Sequence, residues 1–431
     1  MRINQIHLKN FRCYEDVSIE FHPRFNVLVG INGTGKTSIL EALRIAIGSL
    51  FLSVDKYKDK IASPGIQLDD VRLSNLEQQY PVIITTEGTL SQFTSDDSYE
   101  NISWERSLVT KGGATRYKDA KLMKEASSQM QEVIRQSEPP INIPLIAYYS
   151  TDRFKKEKKD VGVEPNGSRL RGYYNALDPL TNIKFFLDLY YTETLSAIQH
   201  NTTSDALNAV NEAVKKCIDC DDLMFDIKQQ ELLLIQSKSH ERMPFHMLSD
   251  GVRSVLAMVM EIAFRCYLLN PHLGKEAAML TTGVILIDEI DLHLHPEWQK
   301  KVINDLRNAF PNIQFIITTH SPQILGEVDH DFNVYALSRN GSDIQVVQTT
   351  GMFGMDSNSI LEDKMETDSV SAIIKQKTEE MYSLLELKDF DGAENIADEI
   401  DELTQNRNID TVRARVIIRR GRYKNNDLSN P

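Results

Sequence analysis

An α/β fold with a mixed or parallel core sheet is predicted by three short apolar runs, each ending on polar residues: Phe25-Asn26-Val27-Leu28-Val29, Val284-Ile285-Leu286-Ile287 and Phe315-Ile316-Ile317-Thr318. Runs of this length without alternation suit strands covered on both faces. The first empties into Gly30-Ile31-Asn32-Gly33-Thr34-Gly35-Lys36-Thr37, which reads GxxxxGK[ST], and then into Ile39, Leu40, Leu43, Ile47 and Leu50 at helical spacing. Residues Pro296 to Phe310 read as a helix between the second and third runs, as a βαβ crossover requires.

The rest of the chain is placed around that core. Before the first run, Ile3, Ile6 and Leu8, then Val17, Ile19 and Phe21, alternate like two strands joined by a turn at residues 10–14. Val82 to Thr86 and a pair around Ile102 to Thr110 and Arg116, straddling Gly112-Gly113 as a hairpin would, predict an antiparallel side sheet. A helix follows over 118–136, ended by Pro139-Pro140, and a buried strand over Ile143 to Tyr149 closes on Ser150-Thr151-Asp152-Arg153. Two helices are expected between 180 and 217, then a strand pair, Leu223 to Ile227 and Leu232 to Ile235. A long helix with Leu256, Val259, Met260, Ala263, Phe264 and Tyr267 on its apolar face follows Gly251. Two further strands, Asn333 to Leu337 and Asp343 to Val347, precede an acidic helical hairpin over 361–410 and a terminal helix with six basic residues and no acid between 411 and 425. That terminal helix either pairs with its acidic neighbour or docks a partner or DNA. The expected organisation is an N-terminal lobe over 1–150, a basic loop and helical insertion over 151–240, a C-terminal lobe over 241–350 and a helical tail over 351–431, the candidate partner-docking region.

Composition narrows the classes of function. A chain of 431 residues with 41% hydrophobic and 26% charged residues has material for more than one core, and a net charge of −14 argues against general coating of nucleic acid or of an anionic membrane. Four scattered cysteines make no disulfide framework, no secretory apolar core opens the chain and no run of eighteen apolar residues occurs, so a cytoplasmic, non-membrane protein is expected. Residues 153–171 hold Arg153, Lys155, Lys156, Lys158, Lys159, Arg169 and Arg171 against three acids, which reads as a solvated loop or a local nucleic-acid contact. Cys217-Ile218-Asp219-Cys220 has CxxC spacing but no second CxxC and no long coiled coil beside it, and reads as incidental rather than a zinc site. His293 and His295 form an HxH pair that metal binding does not need to explain.

The glycine-rich loop is a phosphate cradle. Its N–H groups and the N-terminus of the following helix converge on an anion, with Lys36 reaching the β- and γ-phosphates and Thr37 a magnesium ion. Asn32, Gly33, Gly35 and Ser38 complete the nucleotide-binding set. Asp288, at the end of an apolar strand, suits a magnesium-holding carboxylate, Glu289 a base that polarises water, and His320, after the next strand, a γ-phosphate contact.

In this order the motifs resemble the ABC-type ATPases of the SMC and RecF-like group. The resemblance covers residues 1 to 340 and rests on "MRINQIHLKNFRCYEDVSIEF", "GINGTGKT", "LSDG", "VILIDEIDLHLHP" and "TTHSP", with Ser249 lying 213 residues after Lys36, Asp288 39 after Ser249 and His320 31 after Glu289. It implies an ATP- and magnesium-dependent ATPase whose signature residues Ser249 and Gly251 contact the γ-phosphate held by a second copy, hence head-to-tail homodimers with two composite sites. It also implies a place near the nucleotide for Arg12. Two departures stand out: Asp250 where transporters of this class carry a second glycine, and no Q-loop glutamine after the strand ending at Tyr149. "IPLIAYYSTDR", "LHLHPEWQ" and "GMFGMDSNSILED" narrow the resemblance to the PtuA family of Septu-type antiphage systems, which implies a separate PtuB-like HNH nuclease subunit and DNA contact through the complex. The alternatives are a RecF-like DNA repair clamp and a nucleotide-gated scaffold with negligible turnover.

Overall fold

The structure is a computed structural model that describes residues 1–54, 61–91, 93, 99–117, 120–136, 140–154, 168–179, 183–340, 343–350, 352–355, 357, 359–360, 372–404 and 408–427. Lys155, Lys156, Lys158 and Lys159 of the basic stretch, and part of the stretch GMFGMDSNSILED, lie outside the described residues. The chain forms two compact units, Met1–Ser357 and Asn358–Pro431.

In the first unit β1 (Arg2–Phe11), β2 (Tyr14–Glu20) and β3 (Phe25–Gly30) precede α1 (Lys36–Ile47). The two-residue strands β4 (Leu73–Ser74) and β5 (Glu77–Gln78) lead to β6 (Val82–Ser91) and β7 (Tyr99–Leu108), then α2 (Lys121–Gln136) and β8 (Leu145–Tyr149). Helices α3 (Ile183–His200) and α4 (Asp205–Cys217) are followed by β9 (Cys220–Asp226), β10 (Glu231–Gln236) and β11 (Arg242–Pro244). The remainder runs α5 (Asp250–Leu269), α6 (Ala277–Leu280), β12 (Gly283–Ile287), α7 (Pro296–Ala309), β13 (Ile313–Thr319), α8 (Pro322–Leu325), β14 (Phe332–Asn340) and β15 (Asp343–Thr349).

The core sheet has the order β15-β14-β3-β13-β12-β8, parallel from β14 to β8, with β15 antiparallel at one edge. Every residue of β3, β8, β12 and β13 is buried, as their largely apolar runs lead one to expect. Val27 pairs with Ile317 and Ile317 with Ile287, so β3, β13 and β12 end together at one edge of the sheet. A crevice at the carboxyl ends of neighbouring parallel strands is where α/β sheets bind ligands.

The side sheet has the order β2-β1-β6-β7, antiparallel throughout. Trp104 of β7 donates its indole N–H to Ala46 O at 3.0 Å, fastening this sheet to α1. Gln314 of β13 ties it to the core sheet: its amide accepts from Ile3 N at 2.8 Å and donates to Ile3 O at 2.7 Å. The Ser107–Arg116 bridge closes the turn that holds Gly112-Gly113. After α4 comes a third sheet, β11-β10-β9. Strand β11 was not expected, because three residues ending on proline are too short to alternate. Within α5, Arg265 and Glu261 form a buried ion pair at 2.9 Å, and Arg265 also donates to Gly172 O at 2.6 Å and Tyr174 O at 3.0 Å. Those carbonyls satisfy a guanidinium that would be costly to bury alone.

In the second unit the helices Ala372–Glu386, Phe390–Thr404 and Ile409–Asp427 pack around Met381, Leu385, Ala393, Ala397, Ile400, Ala414 and Ile418. Arg415 of the terminal helix bridges Asp398 at 2.6 Å and Asp401 at 2.8 Å, so the basic helix pairs with its acidic neighbour.

Candidate nucleotide-binding and catalytic site

The site is built where β3 turns into α1. Gly35 has φ +86, and a Cβ there would stand 2.6 Å from Cys13 Sγ and from the Tyr14 hydroxyl, so only glycine fits. Tyr14 donates to Gly35 O at 3.1 Å, and burial raises its pKa far above the usual phenol range, keeping it a neutral donor. These braces were not anticipated. Cys13 and Tyr14 directly follow Arg12, and no spacing rule marks them. Arg12 itself donates to Asp70 Oδ1 at 2.8 Å, and its N–H to Asp70 O at 2.7 Å.

Lys36 is buried, and its Nζ donates to Gly30 O at 2.7 Å and Ile31 O at 3.0 Å, which curls the amine back across the loop. Burial lowers its pKa to about 8, partly opposed by the charges of Asp288, Glu289 and Asp291. Thr37 is exposed one residue on, and its hydroxyl donates to Asp288 Oδ2 at 2.9 Å.

Asp288 is buried just beyond the end of β12, and its N–H donates to Tyr149 O of β8 at 2.8 Å. Its other oxygen, Oδ1, accepts the hydroxyl proton of Thr318 at 2.6 Å. Glu289 adopts φ +47, leaving the strand direction, and its N–H donates to Thr318 Oγ1 at 2.7 Å. His320 Nε2 stands 4.0 Å from Glu289 Oε1. Burial, then the charge of Lys36, lowers the His320 pKa against the opposing pull of Asp291, Glu289 and Asp288, so the ring is neutral at neutral pH. Asp291 accepts from Thr319 Oγ1 at 2.7 Å and from His320 N at 3.3 Å, fixing the backbone that carries the imidazole.

The structure therefore gathers Lys36, Thr37, Asp288, Glu289 and His320 at the ends of three adjacent strands. Ser249 and Gly251 stand apart, at the start of α5. Ser249 is exposed and its side chain makes no capping bond. A Cβ on Gly251 would lie 2.7 Å from His293 O, so the start of α5 packs directly on the segment that follows Glu289. Asp250 is ion-paired with Arg253 at 2.5 Å. Beyond β8, Ser150 donates to Pro179 O at 2.6 Å and Asp152 is exposed on the following turn, beside the edge where Asp288 emerges. His293 is exposed, and His295 occupies the N-cap position of α7. Cys217 and Cys220 are buried free thiols whose pKa values burial raises, that of Cys220 to about 11.

The residues present fit a magnesium nucleotide. Two oxygen donors of the hard type that magnesium selects, the Thr37 hydroxyl and the Asp288 carboxylate, already lie within hydrogen-bond distance of each other. The Lys36 amine is held by two loop carbonyls that a phosphate could replace. Among the described residues no helix is long and apolar enough to cross a membrane.

The matching families and curated relatives are those of ATPases. The AAA domain family matches residues 5–219 and the AAA ATPase domain family residues 187–325. The Retron Ec83 probable ATPase of Escherichia coli is 24% identical, over 85% of this chain and 76% of its own length. The Septu protein PtuA of Bacillus thuringiensis is 24% identical, over 85% of this chain and 84% of its own. A solved SMC head bound to the C-terminal winged-helix domain of ScpA aligns with 81% of this chain and 98% of that one, at 16% identity and a TM-score of 0.47. The chain is an ATP-hydrolysing enzyme related to PtuA and to the retron ATPases.

Proposed function

We propose that this ATPase binds magnesium ATP, closes into head-to-tail dimers upon it, and thereby regulates a separate HNH nuclease subunit in an antiphage defence complex. One observation carries the dimer: the Walker residues Lys36, Thr37, Asp288 and Glu289 are gathered within one chain, while Ser249 is exposed at an uncapped helix start. The first N–H groups of α5 and the Ser249 hydroxyl are then donors for the γ-phosphate of a second copy. The relatedness to PtuA supports the defence setting.

In the proposed cycle Lys36 leaves the Gly30 and Ile31 carbonyls for the β- and γ-phosphates. Thr37 and Asp288 would hold magnesium, which would offset phosphate charge. Glu289 takes a proton from water as the water oxygen bonds to the γ-phosphorus and ADP departs, while neutral His320 hydrogen-bonds a γ-phosphate oxygen. Arg12, braced by Asp70, holds the turn that carries Cys13 and Tyr14 against the loop.

Co-expression of the tagged chain with the neighbouring gene, followed by plasmid-cleavage assays with and without ATP, tests the reading. A stoichiometric nuclease subunit whose cutting responds to nucleotide is expected. A lone dimer without cleavage would overturn the nuclease partnership and favour a repair clamp.

A further inference from the structure

Asp288 and Glu289 must each point a carboxylate in a defined direction, yet the strand that carries them ends at Ile287 and Glu289 turns into the left-handed region. The residue that meets this difficulty is Thr318, on the neighbouring strand β13 and fully buried. Its hydroxyl donates to Asp288 Oδ1 at 2.6 Å and accepts from Glu289 N at 2.7 Å. Its carbonyl accepts from Ile290 N at 3.1 Å. One threonine thus contacts three successive residues just where regular pairing of β12 stops.

The chemistry of a hydroxyl makes this specific. It has a single proton and two lone pairs, so giving the proton to Asp288 leaves a lone pair for the Glu289 N–H, and the two bonds polarise each other. With Thr37 on Oδ2 and Thr318 on Oδ1, both oxygens of Asp288 are engaged and the plane of the carboxylate is fixed. Fixing Glu289 N sets the direction in which its side chain leaves the backbone. A valine would fill the same space and keep the carbonyl bond to Ile290, but would take this partner away from a part-buried N–H and a carboxylate oxygen.

We propose that Thr318 is the positioning residue of the ATPase reaction, holding Asp288 and Glu289 in one rigid geometry through its hydroxyl. This rests on the assignment of Asp288 to magnesium and Glu289 to water. Partners of this kind typically carry about 10- to 100-fold in metal affinity or activity.

The test measures kcat and KM for ATP together with the affinity for a slowly hydrolysed ATP analogue, with magnesium and with chelator, in Thr318→Val, Thr318→Ser and the parent chain. Thr318→Val should lower kcat by about 10- to 100-fold and shrink the gain in analogue affinity due to magnesium, with affinity in chelator unchanged. Thr318→Ser, which keeps the hydroxyl, should restore both. Should the valine variant fail to fold, Thr318→Ala against Thr318→Ser makes the same comparison. Parent-like kcat and magnesium dependence in the valine or alanine variant would overturn the proposal, as would equal losses in the serine and valine variants. Asp288→Asn and Glu289→Gln serve as controls: if they too leave magnesium dependence and turnover intact, the assignment of those two residues has failed instead.

Discussion

Two faces of the ATPase unit, both built from signature motifs, are prepared to very different degrees. The Walker face is dense: Thr37, Asp288, Thr318 and Glu289 form one chain of hydrogen bonds between 2.6 and 2.9 Å, much of it buried. The face carrying Ser249 is open, with an uncapped hydroxyl and an exposed Asp250–Arg253 pair, beside the close packing of Gly251 on the His293 carbonyl. A preorganised half beside an exposed half suits the shared site proposed above, in which catalytic geometry would be held ready and the remaining donors would arrive with a second copy.

The largest effect that would sharpen this contrast is on turnover. Glu289→Gln keeps the size of the side chain and removes its basicity, and should lower kcat about 10²- to 10⁴-fold in a steady-state phosphate-release assay. Lys36→Ala should come next, weakening ATP binding by about 10- to 100-fold in a calorimetric titration, because it removes charge-assisted bonds to phosphate. Undiminished affinity would break the premise that the loop is the cradle.

Ser249→Arg separates the faces. It should leave the affinity of the dilute monomer for ATP near that of the parent and abolish ATP-dependent pairing. Mixing it with Lys36→Ala should restore part of the turnover, since a mixed dimer keeps one composite site whole.

The smallest effect is a pH dependence. The Lys36 pKa is depressed to about 8 in the nucleotide-free chain, and bound phosphate favours the charged amine. Below about pH 8 the amine is already protonated and affinity should be flat. Above that value binding must take up a proton, so affinity should fall by up to about tenfold per pH unit. Lys36→Arg, which stays charged, should flatten the curve over the same range.

The contrast between the faces also marks what was legible in the sequence. The buried parallel strands announce themselves, because a strand covered on both faces is mostly apolar without alternation, and β3, β12 and β13 emerge almost where their runs lie. The phosphate loop, Asp288, Glu289 and His320 are legible from their positions at strand ends. Thr318, Tyr14 and Cys13 are not, because what defines them is contact with residues far away in the chain, and a threonine in an apolar strand looks like any other β-branched residue. The buried Arg265–Glu261 pair is hidden likewise: at i, i+4 it reads as a solvent-exposed helix pair until the carbonyls of Gly172 and Tyr174 are seen above it. Arg12 shows the converse, since its motif points to nucleotide while its described side-chain bond goes to Asp70.

In the proposed function, ATP held by one copy is completed by the exposed signature of another. Sedimentation velocity of Glu289→Gln, with and without magnesium ATP, tests it most directly. A shift from monomer to dimer on ATP, lost when Ser249→Arg is added, is the expected result. A chain that binds ATP stoichiometrically yet keeps the same mass with and without it would contradict the claim.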